Sequence, residues 1–198
     1  MRYLPFLLLL TLLSACSIPL KSDLPLEQTY RLAPLVATAS QRLAANLYVS
    51  KVTVSPALDS DRIVLIKPPL QQDFIAHSRW PDDLSSYLHA VMVDGLARSG
   101  SFQSVSEQML GKEGNYKLLL RVASFQAEYP KDGKSNAAVD IVMESSLVRV
   151  RDQHLLGQHR YAVRKEDIPI STSKLVEALN QALGEVIAAL LMDLQRDL

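Results

Sequence analysis

One stripe of apolar residues near the C-terminus constrains the fold more than any other feature. Leu175, Leu179, Leu183, Val186, Leu190 and Leu194 recur at three- and four-residue spacing, the period at which a helix returns side chains to one face. Glu177, Gln181 and Glu185 fall on the other face, and Ser171-Thr172-Ser173, just after Pro169, offers N-caps. A helix so one-sided must bury its stripe. Its polar face is acidic or neutral rather than basic, which favours docking on the protein's own sheet over lying on a membrane surface.

The segment before this helix reads as that sheet. Residues 116–129 (YKLLLRVASFQAEY) form a long apolar strand pattern, and Lys131-Asp132-Gly133-Lys134 follows. Asp-Gly supplies the positive φ values a tight hairpin turn needs. Residues 138–151 return as a second strand. Its apolar phase is odd at Val139, Ile141 and Met143, then even at Val148 and Val150, which predicts a β-bulge near Ser145-Ser146. Arg151-Asp152-Gln153-His154 reads as a second turn, and residues 155–165 as the third strand of a meander.

Earlier in the chain the signals are shorter. Residues 30–32 read as a short strand, residues 33–46 are weakly patterned, and residues 47–54 (LYVSKVTV) alternate as a strand should. Asp59-Ser60-Asp61 is a turn cluster. Residues 62–67 (RIVLIK) read as a buried strand that Pro68-Pro69 must stop, and residues 72–80 resume it as a hairpin. A helix is expected to start with Pro81 at its first position and Asp82 and Asp83 on the positive end of its dipole. Leu84, Leu88, Val91 and Gly95 carry its helical spacing, Gly100 terminates it, residues 102–106 form a short strand and residues 111–115 a turn. The fold class expected is α+β: a mostly antiparallel sheet of hairpins packed with two main helices.

The N-terminus is of another kind. Arg2 precedes an apolar stretch over residues 4–13, interrupted only by Pro5 and Thr11, and Ser14, Ala15 and Cys16 follow. The stretch is short of the roughly 20 residues a membrane-spanning helix needs and suits a secretory signal. Leu13-Ser14-Ala15-Cys16 resembles a bacterial lipobox, in which the cysteine thiol takes a diacylglycerol, the signal is cut before it, and the freed amino group is acylated. At about 0.8 kcal/mol per buried methylene, three chains make a permanent anchor. Ser17, rather than an aspartate, points to the outer membrane. The organisation expected is a lipoprotein signal peptide at 1–15, a lipidated tether at 16–28 and a single domain at 29–198. In that chain the longest unbroken apolar run is residues 186–192, so the lipid is expected to be the sole membrane attachment.

Few residues are arranged for chemistry. The single cysteine excludes a disulfide framework and multi-cysteine metal sites. Twenty-one basic against 21 acidic residues argue against a nucleic-acid binder. Neither a G-x-S-x-G context nor a phosphate-binding glycine motif occurs. His77 and Ser78 are neighbours on an extended segment and face opposite sides. His89 lies on the first helix, and His154 and His159 are scattered, so no metal site is expected. Asp82-Asp83 is explained by helix-start electrostatics, while Glu166-Asp167, Asp59 and Asp61 are solvated loop charges. Trp80, the only tryptophan, reads first as a core aromatic locking a helix start onto the sheet. Its other reading is a partner-contact anchor.

The order of these elements is itself distinctive. A lipobox is followed by Tyr30-Arg31-Leu32, by LYVSKVTVSPALDSDRIVLI with Leu58 and Arg62-Ile63-Val64, and by a hairpin into His77-Ser78-Arg79-Trp80-Pro81. A helix, a Tyr-containing strand, a meander and a C-terminal helix complete the order. Over residues 28–195 the chain resembles the ABC-type transport auxiliary lipoprotein family. It departs from that pattern at Pro68-Pro69, where a Gly/Asn-type turn is usual, and at His77, where an aromatic is often found.

The resemblance implies a non-enzymatic outer-membrane lipoprotein with its domain in the periplasm of a Gram-negative cell. It would work with an MCE-domain protein and an inner-membrane permease or ABC transporter to carry lipids across the envelope. It implies no cofactor besides the covalent diacylglycerol and N-acyl chain on Cys16, and it is compatible with a homo-oligomer. Tyr30, Arg79 and Trp80 stand at its signature positions, with structural roles. The competing readings are another periplasmic scaffold lipoprotein in envelope assembly and a lipid-anchored envelope hydrolase.

Overall fold

The computed structural model describes residues 26–39, 41–109, 115–132 and 136–198. Among these lie nine strands and two α-helices, besides one 3-10 turn at Pro56–Leu58: β1 (Gln28–Thr29), β2 (Leu43–Val49), β3 (Thr53–Val54), β4 (Arg62–Lys67), β5 (Gln71–Arg79), α1 (Leu84–Arg98), β6 (Phe102–Ser106), β7 (Asn115–Glu128), β8 (Ala137–Arg149), β9 (His154–Ile168) and α2 (Thr172–Asp197).

Strand β7 is the axis of the sheet. On one edge it pairs antiparallel with β8 from Tyr116↔Arg149 to Glu128↔Ala138, and β9 closes the meander antiparallel to β8. On the other edge β2, β3 and β4 line up in succession, all parallel to it, at Val49↔Leu118, Thr53↔Arg121 and Ile66↔Glu128. β6 lies parallel outside β2, β5 antiparallel outside β4, and β1 parallel outside β5. The fold is thus α+β with two helices, but its sheet is mixed. Parallel pairings run through its middle where a mostly antiparallel sheet was expected. The hairpins β4–β5 and β7–β8–β9 are present because tight turns announce them locally. A parallel pair joins distant segments and has no local turn to announce it.

Several boundaries differ for identifiable reasons. The first strand is Gln28–Thr29, and Tyr30 only follows it, donating its N–H to the Arg79 carbonyl at 2.9 Å. The expected strand over residues 47–54 is split between β2 and β3. Four steps from Val49 to Thr53 cover three steps of β7, so one residue bulges out while Ser50 N–H stays on Leu118 O. Pro81 precedes α1 rather than opening it. Trp80 N–H bonds Asp61 O (2.7 Å) and Leu84 N–H bonds Ser60 O (3.1 Å), which keeps residues 81–83 outside the helix, with Asp83 at φ −53°, ψ 139°. The bulge expected at Ser145-Ser146 is absent: both pair in register with Leu119 and Leu120 and with Gln158 and His159. The inner face of β8 stays odd through Ser145 and Leu147. A serine stands where an apolar residue was expected, and that gap mimicked a phase shift. The turn expected at residues 111–115 lies outside the described residues except for Asn115, and so does Gly133 of the Asp-Gly turn.

Other expectations match. Gly100 ends α1 with φ +68°, a value that suits glycine. The side chain of Ser171 caps α2 by accepting from Lys174 N–H at 3.4 Å. The whole stripe from Leu175 to Leu194 is buried against the meander, in one core with Leu118, Leu120, Val122, Ile141 and Met143. By length and composition α2 could cross a membrane, but more than half of its most apolar stretch is buried inside the protein. This is the signature of a core helix.

Candidate functional site

The segment that enters the domain from the N-terminus binds three elements in turn, and each bond is polar. Thr29 sits beside Arg79 at the end of β5. The Arg79 guanidinium reaches back to Glu27 at 3.1 Å and donates to Asp61, and these carboxylates, Asp61 foremost, push its already high pKa further up. The Tyr30 hydroxyl donates to Gln28 Oε1 at 2.7 Å, and the ring is partly buried against the core. Leu32 N–H then donates to the Tyr87 hydroxyl of α1 (2.6 Å), and Ala33 N–H to Asn180 Oδ1 of α2 (2.5 Å). Asn180 returns its own amide to Arg31 O at 3.4 Å and Val176 O at 3.1 Å. A backbone that forms no regular sheet is satisfied here by side chains, which matters most at the buried Leu32.

Trp80 lies beneath this arm. It is 1% exposed, with its ring 5.9 Å from Phe125 in an edge-on arrangement and 6.1 Å from Tyr87 in a tilted one. It joins β5, α1 and β7 at the point where Tyr87 also holds the arm. The geometry puts Trp80 inside the protein, Arg79 on its surface and Tyr30 between. Cys16 lies outside the described residues.

Beyond Ala33 the arm passes over α2 and leaves an open groove of about 520 Å³. Ala33, Leu35, Gly184 and Ala188 give it an apolar lining, and Asn180, Gln181, Glu177 and Glu185 a polar one. The close approach depends on Gly184, where a Cβ would lie 3.1 Å from the Leu35 carbonyl oxygen. Leu35 itself is 91% exposed. Glu177 is paired with Lys174 and Glu185 with Lys165, so the rim carries compensated charge. Such a groove can hold an apolar segment by burial. Its lining has no nucleophile beside a base.

The other end of α2 carries a polar cluster that the sequence analysis did not find. The Ser145 hydroxyl lies 3.2 Å from the Tyr161 hydroxyl, which donates to Asp193 Oδ2 at 3.1 Å. His159 has Nε2 2.8 Å from Asp197 Oδ2 and Nδ1 3.6 Å from Asp193 Oδ2. Arg196 adds a contact to Asp193 at 2.7 Å. Burial pushes the Tyr161 phenol well above its usual range, and Asp193 and Asp197 push it the same way. One signal does stand in the sequence: two aspartates in the last turn of a helix oppose its dipole, so they need cationic partners. Ser145 and His159 are directly opposed on β8 and β9, with Asp197 behind. They do not form a nucleophile–base pair, because the serine turns to Tyr161 and both ring nitrogens face carboxylates. Among the described residues no group of three or more His, Cys, Asp or Glu is placed to hold a metal ion. His77 is exposed at φ 55° while Ser78 is buried and donates to Ile75 O at 2.9 Å, so they form no dyad either.

Comparison with known proteins adds to this geometry. A family model described as the ABC-type transport auxiliary lipoprotein component matches residues 30–190. A crystal structure of a Xanthomonas campestris protein of the family model DUF330 superposes with a TM-score of 0.74 at 22% identity, covering 83% of this chain and 92% of that one. A second crystal structure, of an uncharacterised protein, gives 0.69 at 19% identity, with 86% and 99% covered. At these identities the likeness shows a shared fold. No curated protein matches the sequence.

Proposed function

Because the chain belongs to the ABC-type transport auxiliary lipoprotein family, we propose that it is the outer-membrane end of an MCE-type lipid transport system, anchored through Cys16 and acting without catalysis. Its membership makes it an auxiliary lipoprotein component of an ABC-type transport system. The finer reading rests above all on the extent of that match, which takes in the arm, the sheet and most of α2. The lipobox at Leu13-Ser14-Ala15-Cys16, with Ser17 after it, supports the choice of membrane. Organisation follows the same reading: signal peptide to residue 15, tether to residue 28, and one domain beyond.

Reach limits how such a protein can work. A tether over residues 17–28 spans at most roughly 40 Å when extended, which keeps the domain close to the membrane that holds its lipid. It must therefore meet a long partner, or one that comes to it. An apolar groove with compensated charge and polar clusters locked in mutual hydrogen bonds suit a docking component better than an enzyme.

The test is crosslinking in intact envelopes, purification of the full lipidated protein, and a binding assay against the purified periplasmic part of the MCE-domain protein. Direct binding without nucleotide or metal is expected, together with sensitivity of a deletion strain to detergents. Recovery of no MCE-domain protein, combined with a lost enzymatic activity that this protein alone restores, overturns the reading.

A further inference from the structure

We propose that the bare face of the sheet, around Leu119 of β7, docks an acidic segment of a partner protein. The proposal rests on the docking role put forward above and adds to it the surface and the chemistry of the segment that meets it.

Both helices lie on one side of the sheet. Leu118, Leu120 and Val122 share the core with α2, and α1 runs beside α2, where a Cβ on Gly95 would lie 3.4 Å from Ile187. Lys117, Leu119 and Arg121 alternate with those residues and point the other way. Among the described residues no helix covers them. Register fixes their neighbours. Tyr48, Val148 and Leu155 fall in line with Lys117, Ser146 and Gln158 with Leu119, and Glu144 and Arg160 with Arg121. Leu119 is 39% exposed and Leu155 50%, with Val148 on the strand between them. Two exposed leucines thus share one face.

The charge around them is one-sided. Lys117, Arg121 and Arg160 border the leucines, and Glu144 is the one carboxylate among these neighbours. It is shared by both guanidinium groups, at 3.1 Å from Arg121 and 3.4 Å from Arg160. Lys117 has no carboxylate partner among the described residues. Both arginines are exposed and keep donors free for a further acceptor. Lys117 and Arg121 stand four residues apart on one strand, about 13 Å, and Arg121 and Arg160 two strands apart, about 10 Å. An apolar centre inside a charged rim is the anatomy of a protein interface. A segment with an apolar residue between acidic ones complements it.

Two other occupants fit less well. Further along the same face Glu128, Asp140 and Glu166 gather around Arg164, so an anionic bilayer laid on this face would meet carboxylates as well as cations. A second copy meets like charges. Aligned stacking of the face on itself about a twofold axis along β8 sets Arg121 over Arg160 and Glu144 over Glu144. About an axis across the strands at Val142, it sets Glu144 over Asp140 and Arg160 over Arg164.

The test measures binding of the full lipidated protein, in detergent, to the purified periplasmic part of the MCE-domain protein. Arg121→Glu/Arg160→Glu should bind about tenfold more weakly, and the parent should lose affinity as salt rises. Leu119→Ala should weaken binding severalfold, while Arg98→Glu, on the solvent side of α1, should bind like the parent. Melting curves establish that each variant is folded, and Arg121→Gln/Arg160→Gln replaces the reversal if that unfolds. A photocrosslinker at position 119 should mark a partner peptide with Asp or Glu beside an apolar residue; a basic peptide overturns the proposal. Equal binding by the parent and the reversal variant overturns the surface and leaves the docking role standing. A parent that does not bind overturns both. Self-association that the reversal abolishes also overturns the acidic partner. So does quenching of a fluorophore on Leu119→Cys by nitroxide lipid in phosphatidylethanolamine–phosphatidylglycerol vesicles.

Discussion

Replacing Trp80 by alanine tests whether the junction of β5, α1 and β7 holds the domain together. Trp80 is 1% exposed and lies against two other aromatic rings, Phe125 at 5.9 Å and Tyr87 at 6.1 Å. Truncating a fully buried tryptophan removes its transfer free energy and leaves a cavity, costing about 3–5 kcal/mol. The aromatic pairs supply about 0.5–1.5 kcal/mol of that beyond area alone. Against a total stability of roughly 5–15 kcal/mol the loss is large. At about 2–4 °C per kcal/mol for a domain of this size, the melting temperature should fall by about 6–20 °C. Trp80 is the only tryptophan, so its fluorescence disappears with it. Circular dichroism during heating and urea titration is the appropriate assay, with the m-value unchanged. Arg79→Ala is the companion variant, since it removes only exposed ion pairs and should melt close to the parent protein. A Trp80→Ala protein that unfolds at the same urea concentration as the parent refutes the packing argument. If it also fails to bind the MCE-domain protein, Trp80 is a contact residue instead.

Tyr161→Phe should make stability less sensitive to alkali. The folded phenol ionises above its ordinary value of 10.0, chiefly through burial. The stability it contributes is therefore complete below about pH 10 and is lost as pH rises through the folded value. Urea midpoints on either side of pH 10 should converge for the variant, and an unchanged alkaline loss would show that other groups cause it. Gly184→Val should drive a side chain into the Leu35 carbonyl oxygen, which would stand only 3.1 Å from the new Cβ. The expected cost is about 1–3 kcal/mol, with faster proteolysis near residue 35; an unchanged cleavage pattern would mean that the arm is not seated on α2. Cys16→Ser should abolish acylation and membrane retention without lowering the melting temperature, and mass spectrometry of the membrane fraction decides it.

Legibility differs by element. The hairpins β4–β5 and β8–β9 are legible nearly to the residue because Pro68-Pro69 and the cluster at 151–154 punctuate them locally. α2 is legible from its stripe, and its cap from Ser171. Residues 33–46 follow no period, because their first half is held by Asn180 and Ser99 from other parts of the chain. Ser145 obscures the phase of β8, since an inward serine is satisfied only by Tyr161 on the next strand. Asp193 and Asp197 stand against the helix dipole and so ask for a cation. That Asp197 meets His159, 38 positions away, leaves no mark in either segment.

The two helices, the turns, the hairpins and the family resemblance all follow from residues close together in the chain, or from the order of its segments. Other features belong to the tertiary arrangement alone: β2, β3 and β4 run parallel beside β7, Pro81 stays outside α1, and the arm crosses Gly184 to leave a groove. Parallel pairing and side-chain capping of a distant backbone join residues separated by tens of positions, and the free energy of such contacts leaves no periodic trace in the segments that make them.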